Sequence, residues 1–199
     1  MIFHEGKGVF QMIKKVLVTI IVSLIFCVNI CAGETLTEQQ TETRKWTKKG
    51  IDWKVKGDQC WVLGQHQRAI DNYNKAIKYF NKAIKLDPQD ALAYGGRGFI
   101  YLVLGQYQKT IDDYTRAIEL YPKDPKNAIL YYNRGRAYLK LKLPTAACDD
   151  FYLAGVLFLK DNDRNMVLEC INSMEQADPS SPLIKKLMDK IYAEPEKKK

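Results

Sequence analysis

Two adjacent carboxylate pairs, Asp112-Asp113 and Asp149-Asp150, are the residues here best suited by type to general acid–base chemistry. Neighbours on a helix point about 100° apart, so neither pair converges on one reacting atom. Asp113 with Arg97, and Asp150 with Arg134, suit structural ion pairs between helices instead. Ala93–Phe99, AYGGRGF, is glycine-rich, but it lacks the preceding strand and the Gly-Lys-Ser/Thr ending of a phosphate cradle. Gly98 reads as a packing glycine. Gly95 and Gly96 leave two readings open, a shallow notch on a groove or a local loosening of the helix. The two histidines are His4 and His66, and His66 falls at a helical turn, where an exposed or capping role is expected. Cys60, Cys148 and Cys170 form no CxxC pair, so no zinc site is indicated, and buried free thiols are expected over a Cys148–Cys170 bridge. No nucleophile, base and orienting group come together. The expectation is a protein without catalytic residues, metal, cofactor or small-molecule substrate.

The elements that would carry a binding function are helical. Of the 199 residues, 46% are hydrophobic, enough for a core in one domain with an appendage. The formal charge is +8 and reads as spread along the chain, with no compact basic stripe of the kind nucleic acid requires. Lys14-Lys15 precede an apolar run, Val16–Val28, and Ala32 stands where a signal peptidase cuts. The run is too short to span a bilayer but fits a signal peptide. Residues 1–32 are therefore expected to be a signal peptide, cleaved near Ala32-Gly33 rather than kept as an anchor, with Met12 as the true start. Export to a bacterial periplasm or cell envelope follows. Residues 33–42 read as a disordered lead-in and 194–199 as a basic tail.

Residues 73–88, YNKAIKYFNKAIKLDP, repeat one heptad once and stop. Two heptads are too few for a coiled coil. Longer self-similarity explains them. Arg97-Gly98, Tyr101, Leu104, Asp113 and Ala117 recur 37 residues later as Arg134-Gly135, Tyr138, Leu141, Asp150 and Ala154. Upstream, Leu63–Ile77 mirrors Leu104–Ile118 at an offset of 41. The unit is about 34 residues, so the spare heptad is an insertion into the first unit and Pro125–Asn127 a small one before the third. An aromatic residue (Trp53, Tyr94, Tyr131) precedes each glycine (Gly57, Gly98, Gly135) by four. A turn follows with Gly64, Gly105 or Pro144, and Pro88 or Pro122 closes the first two units.

These units resemble tetratricopeptide repeats over about residues 43–161. The resemblance implies an all-α, right-handed α-solenoid of helical hairpins. Residues 43–90 would form an elongated first hairpin, 91–124 and 125–161 the second and third, and 162–193 a C-terminal capping pair. Trp46 and Gly50 repeat the pattern of Trp53 and Gly57 seven residues earlier, so both helices of the first hairpin are expected to be extended, with Trp46 and Gly50 packing on Phe80, Ala83 and Ile84.

The resemblance also implies that first helices line a concave groove that binds a peptide or protein. The candidate groove residues are Lys54 and Trp61 on the first hairpin, and Leu92, Phe99, Leu102 and Val103 on the second. Tyr132, Arg136 and Lys140 on the third complete the set. Relatives that grip C-terminal carboxylates use a Lys-Asn-Asn-Lys-Arg set, of which this chain keeps only Lys54. Asp58, Gly96, Ile129 and Asn133 stand at the other places, and a carboxylate clamp is not expected. An aromatic groove with a basic rim suits an amphipathic or acidic segment. Cover by the chain's own termini, or self-assembly through the long first hairpin, are the competing expectations.

Overall fold

The computed structural model describes residues 38–193, so the expected signal peptide, residues 33–37 and the basic tail lie outside the described residues. The chain divides into two compact units, Met1–Glu42 and Thr43–Lys199. Of the first, only residues 38–42 are described, and they are helical rather than the disordered lead-in expected. Glu38, Gln39, Gln40 and Glu42 are straight-chain residues that lose little freedom in a helix, which their polarity had masked.

The second unit is all-helical. Its helices are α1 (43–62), α2 (His66–Leu86), α3 (Ala91–Val103), α4 (Tyr107–Leu120), α5 (Asn127–Lys140), α6 (Pro144–Lys160), α7 (Arg164–Ala177) and α8 (Pro182–Ala193). There is no strand among the described residues. Consecutive helices pack together, and α3 also touches α5, as α5 touches α7. That is the arrangement of stacked hairpins, in which no hairpin buries its apolar face alone.

Each hairpin closes on one aromatic ring. Tyr73, Tyr114 and Phe151, all buried, lie against Gly57, Gly98 and Gly135 respectively. The inserted heptad adds a second contact of this kind to the first hairpin. α2 runs 21 residues where α4 runs 14, and Phe80 is fully buried. Its ring occupies the space where a methyl on Gly50 or Gly96 would stand, 2.6 and 2.5 Å from ring carbons. The notch at Gly96 therefore exists, but Phe80 fills it and no groove gains from it. Trp46 and Ile84 pack around the same cluster, which includes Ala83. The heptad is used twice: Tyr73 closes the hairpin, and Phe80, two turns on, joins it to α3.

Arg97 and Arg134 stitch the next hairpins. Arg97 reaches Asp113 through two hydrogen bonds of 2.8 and 2.6 Å, and Arg134 reaches Asp150 through two of 2.7 and 2.8 Å. Each guanidinium also donates back to the preceding hairpin, to Asn81 on α2 or Thr115 on α4. Burial pushes both carboxyl groups up from their ordinary range against the pull of the arginines. It also works against the guanidinium charges, which the aspartates outweigh, leaving both arginines more firmly protonated.

The turns show one departure. Gly64 and Gly105 take a left-handed backbone, both with φ +71, and in the third hairpin that place falls to Lys142 with φ 59. Pro144, expected within that turn, instead opens α6, where its missing N–H costs nothing. At the far end, α7 and α8 cover α6, with Leu187 fully buried against Gly155. Cys148 and Cys170 are buried free thiols in this core. No described helix is long and apolar enough to cross a membrane.

Candidate functional site

The first helices of the three hairpins enclose a cleft of about 490 Å³. From α1 it receives Asp58, Trp61 and Val62, from α3 Phe99, Leu102 and Val103, and from α5 Arg136 and Lys140. Tyr73 and Tyr107 reach it from the second helices. Side chains arrive there because helix positions three and four apart share a face: 58, 61 and 62 on α1 repeat as 99, 102 and 103 on α3.

Six of the nine residues singled out from the sequence line this cleft: Trp61, Phe99, Leu102, Val103, Arg136 and Lys140. Lys54 lies beside it, with its ammonium 4.1 Å from the centre of the Phe99 ring. Two do not join. Leu92 is exposed at the start of α3, in the same register as Ile129 at the start of α5. Tyr132 turns toward α7, its hydroxyl 3.1 Å from Glu169 and its ring against Phe151. Burial raises that phenol's pKa. Tyr132 was placed in the groove by helix register, and the packing of α7 on α5 draws it away.

Asp58, Val62, Tyr73 and Tyr107 were missed. Asp58 was legible as the occupant of a clamp position. Tyr107 is the aromatic of the second turn, and Tyr73 opens the repeated heptad. The Tyr73 hydroxyl donates to Asp58 over 2.9 Å, and Lys54 pairs with the other carboxylate oxygen at 2.7 Å. Burial first, and then Asp58, push the Tyr73 pKa up, so its proton stays on at neutral pH. This corner of the cleft is thus internally satisfied: the one lysine that matches a carboxylate clamp is already engaged.

The opposite wall differs. Arg136 and Lys140 are exposed, and neither has a carboxylate partner among the described residues. Between the walls lies an apolar floor of Phe99, Leu102 and Val103. His66, at the first position of α2, is exposed and stacks edge-on against Trp61, with ring centres 4.8 Å apart. No group of His, Cys, Asp and Glu among the described residues could hold a metal ion.

Two family models match the chain, one described as tetratricopeptide repeat over residues 91–124 and one as TPR repeat over residues 57–105. The chain carries tetratricopeptide repeats. One solved tetratricopeptide structure agrees in fold. The TPR2B domain of yeast Sti1, in a complex with pHsp70, superposes with a TM-score of 0.51 at 20% identity, covering 67% of this chain and 99% of that one. The N-terminal domain of stress-induced protein-1 from C. elegans gives 0.48 at 20% identity, covering 64% and 96%. No curated protein is similar enough to this chain to count as a relative. The tetratricopeptide frame explains where the cleft lies, and its lining is this chain's own.

Proposed function

We propose that the chain is a non-catalytic adaptor, exported to the periplasm or cell envelope, that holds a peptide or protein partner in the tetratricopeptide cleft. One observation carries this reading: two unpaired cations, Arg136 and Lys140, face an apolar floor across from a corner whose charges are already matched. A partner fits if it presents an apolar side chain to Phe99, Leu102 and Val103 and a carboxylate to the α5 wall. The self-satisfied Lys54–Asp58–Tyr73 corner disfavours a carboxylate clamp. Export rests on Lys14-Lys15, the apolar run Val16–Val28 and Ala32.

Selection from a displayed peptide library tests the cleft. The wild-type chain should enrich segments that pair an acidic with an apolar residue, and Phe99→Ala or Arg136→Ala should abolish the enrichment with helicity intact. Enrichment unaffected by either change would overturn the assignment.

A second reading, self-assembly through the first hairpin, is favoured by an exposed apolar stripe. Val55, Val62 and Leu63 on and after α1 are 45%, 85% and 70% exposed. Light scattering on the full chain distinguishes the two: a dimer that Val62→Glu dissolves supports assembly, and a monomer supports the adaptor alone.

A further inference from the structure

The charge of the chain is not spread as its sequence suggested. Residues 43–86 hold eleven Lys and Arg against three Asp, whereas residues 87–193 hold fourteen basic and fourteen acidic residues. The excess therefore sits on the first hairpin, and α1 and α2 gather much of it around aromatic rings. Trp46 and Tyr79 stack with centres 5.8 Å apart. Lys49 and Lys82 lie 4.7 and 4.5 Å from the Trp46 ring, and Lys56 and Lys75 each lie 4.3 Å from the Trp53 ring. None of these four ammonium groups has a carboxylate partner among the described residues. All three rings are half-buried, with the lysines over them.

We propose that this lysine and aromatic face of α1 and α2 docks on an anionic lipid bilayer. Charge complementarity selects an anionic partner, since α1 and α2 carry only Asp52, Asp58 and Asp71 against eleven basic residues, and Asp58 is already engaged by Lys54 and Tyr73. Tryptophan and tyrosine with cationic neighbours are the side chains that settle at the headgroup level, their rings in the interface and their polar atoms in water. The cations over the rings are all lysines. A compact ammonium suits a diffuse layer of phosphates, whereas an arginine fork suits planar, bidentate recognition of bases or carboxylates. The apolar run Val16–Val28 ends eighteen positions before Trp46, and export by that run, as proposed above, would leave this hairpin in a membrane-bounded compartment. The face is separate from the tetratricopeptide cleft, and the inference stands or falls independently of the peptide partner.

Tryptophan emission isolates the face, because the chain has three tryptophans and residues 1–45 contain none. In the full chain carrying Trp61→Phe, emission arises from Trp46 and Trp53 alone. Vesicles of phosphatidylcholine and phosphatidylglycerol with brominated acyl chains should quench that emission more than phosphatidylcholine vesicles do, and added salt should weaken the difference. Changing Lys49, Lys56, Lys75 and Lys82 together to Gln should lower partitioning into the anionic vesicles about a thousandfold. The same four changed to Arg should retain it. Equal quenching of the wild-type and Gln forms on anionic vesicles would overturn the proposal. So would tighter binding of duplex DNA or polyglutamate than of vesicles through these lysines.

Discussion

The first hairpin and the two after it close in different ways. In the second and third, Arg97–Asp113 and Arg134–Asp150 tie first helix to second, and each arginine reaches back to the hairpin before. In the first hairpin the corresponding positions are Lys56 and Asn72. Lys56 lies over Trp53, and Asn72 donates to the Cys60 sulfur at 3.5 Å. What the ion pair does elsewhere is done here by Phe80, seated between Gly50 and Gly96. The difference teaches that one backbone plan can be locked by a buried charge pair or by an apolar key. The second device leaves the lysines unpaired and available at the surface.

The sharpest way to break this comparison is to remove the key. Phe80→Ala should lower stability by about 3–5 kcal/mol, because α1, α2 and α3 all lose the same ring. Urea denaturation reads it, and a cost near that of a surface change would show that the heptad does not join the hairpins. Next in size is the charge pair. Arg134→Ala leaves Asp150 buried without its partner and should cost about 3 kcal/mol or more. Lys56→Ala, at the matching position of the first hairpin, should cost less than about 1 kcal/mol. Similar losses in the two variants would erase the distinction.

How much of this was legible in the sequence depends on what each residue answers to. The hairpins were legible because aromatic, glycine and alanine positions recur at fixed offsets, and the Arg–Asp pairs because they recur with them. The Phe80 contact with Gly50 followed from two extensions seven residues apart. Its contact with Gly96 did not, since a heptad shift restores the same helix face and hides which copy meets the next hairpin. Lys142 carried no residue-type sign of a left-handed backbone. The polarity of charge was lost in a chain-wide count. Tyr132 was misplaced because register gives the face of a helix but not the neighbour that later packs there.

Titration sharpens the comparison more gently. Burial pushes the Cys170 thiol up to about 12 from an ordinary value of 9.0, and raises the Tyr114 and Tyr73 phenols, the latter also through Asp58. The folded chain holds these protons more tightly than the unfolded chain, so the Cys170 contribution is complete below pH 9 and is lost as pH rises toward 12, while those of the phenols are complete below pH 10 and are lost above it. Urea midpoints should fall over that window, by on the order of 1 kcal/mol per pH unit for each buried group. Tyr114→Phe, which gives the second hairpin the ring the third already has, should flatten the decline; an unchanged slope would contradict the assignment. Smallest of all, Lys142→Gly should raise stability by about 1 kcal/mol by relieving the left-handed backbone that glycine occupies in the other two turns. A loss in thermal denaturation would show that the lysine is held there by more than its turn.

The central claim is that the tetratricopeptide cleft binds through its α5 wall. Trp61 lines that cleft, and with Trp46 and Trp53 changed to Phe its emission reports the site alone. Titration with an acidic, apolar peptide selected on the wild-type chain should give a saturable shift in Trp61 emission. Arg136→Ala should weaken it by about 1–2 kcal/mol or more. A shift of undiminished affinity in Arg136→Ala, or no shift at all on binding, would contradict the account.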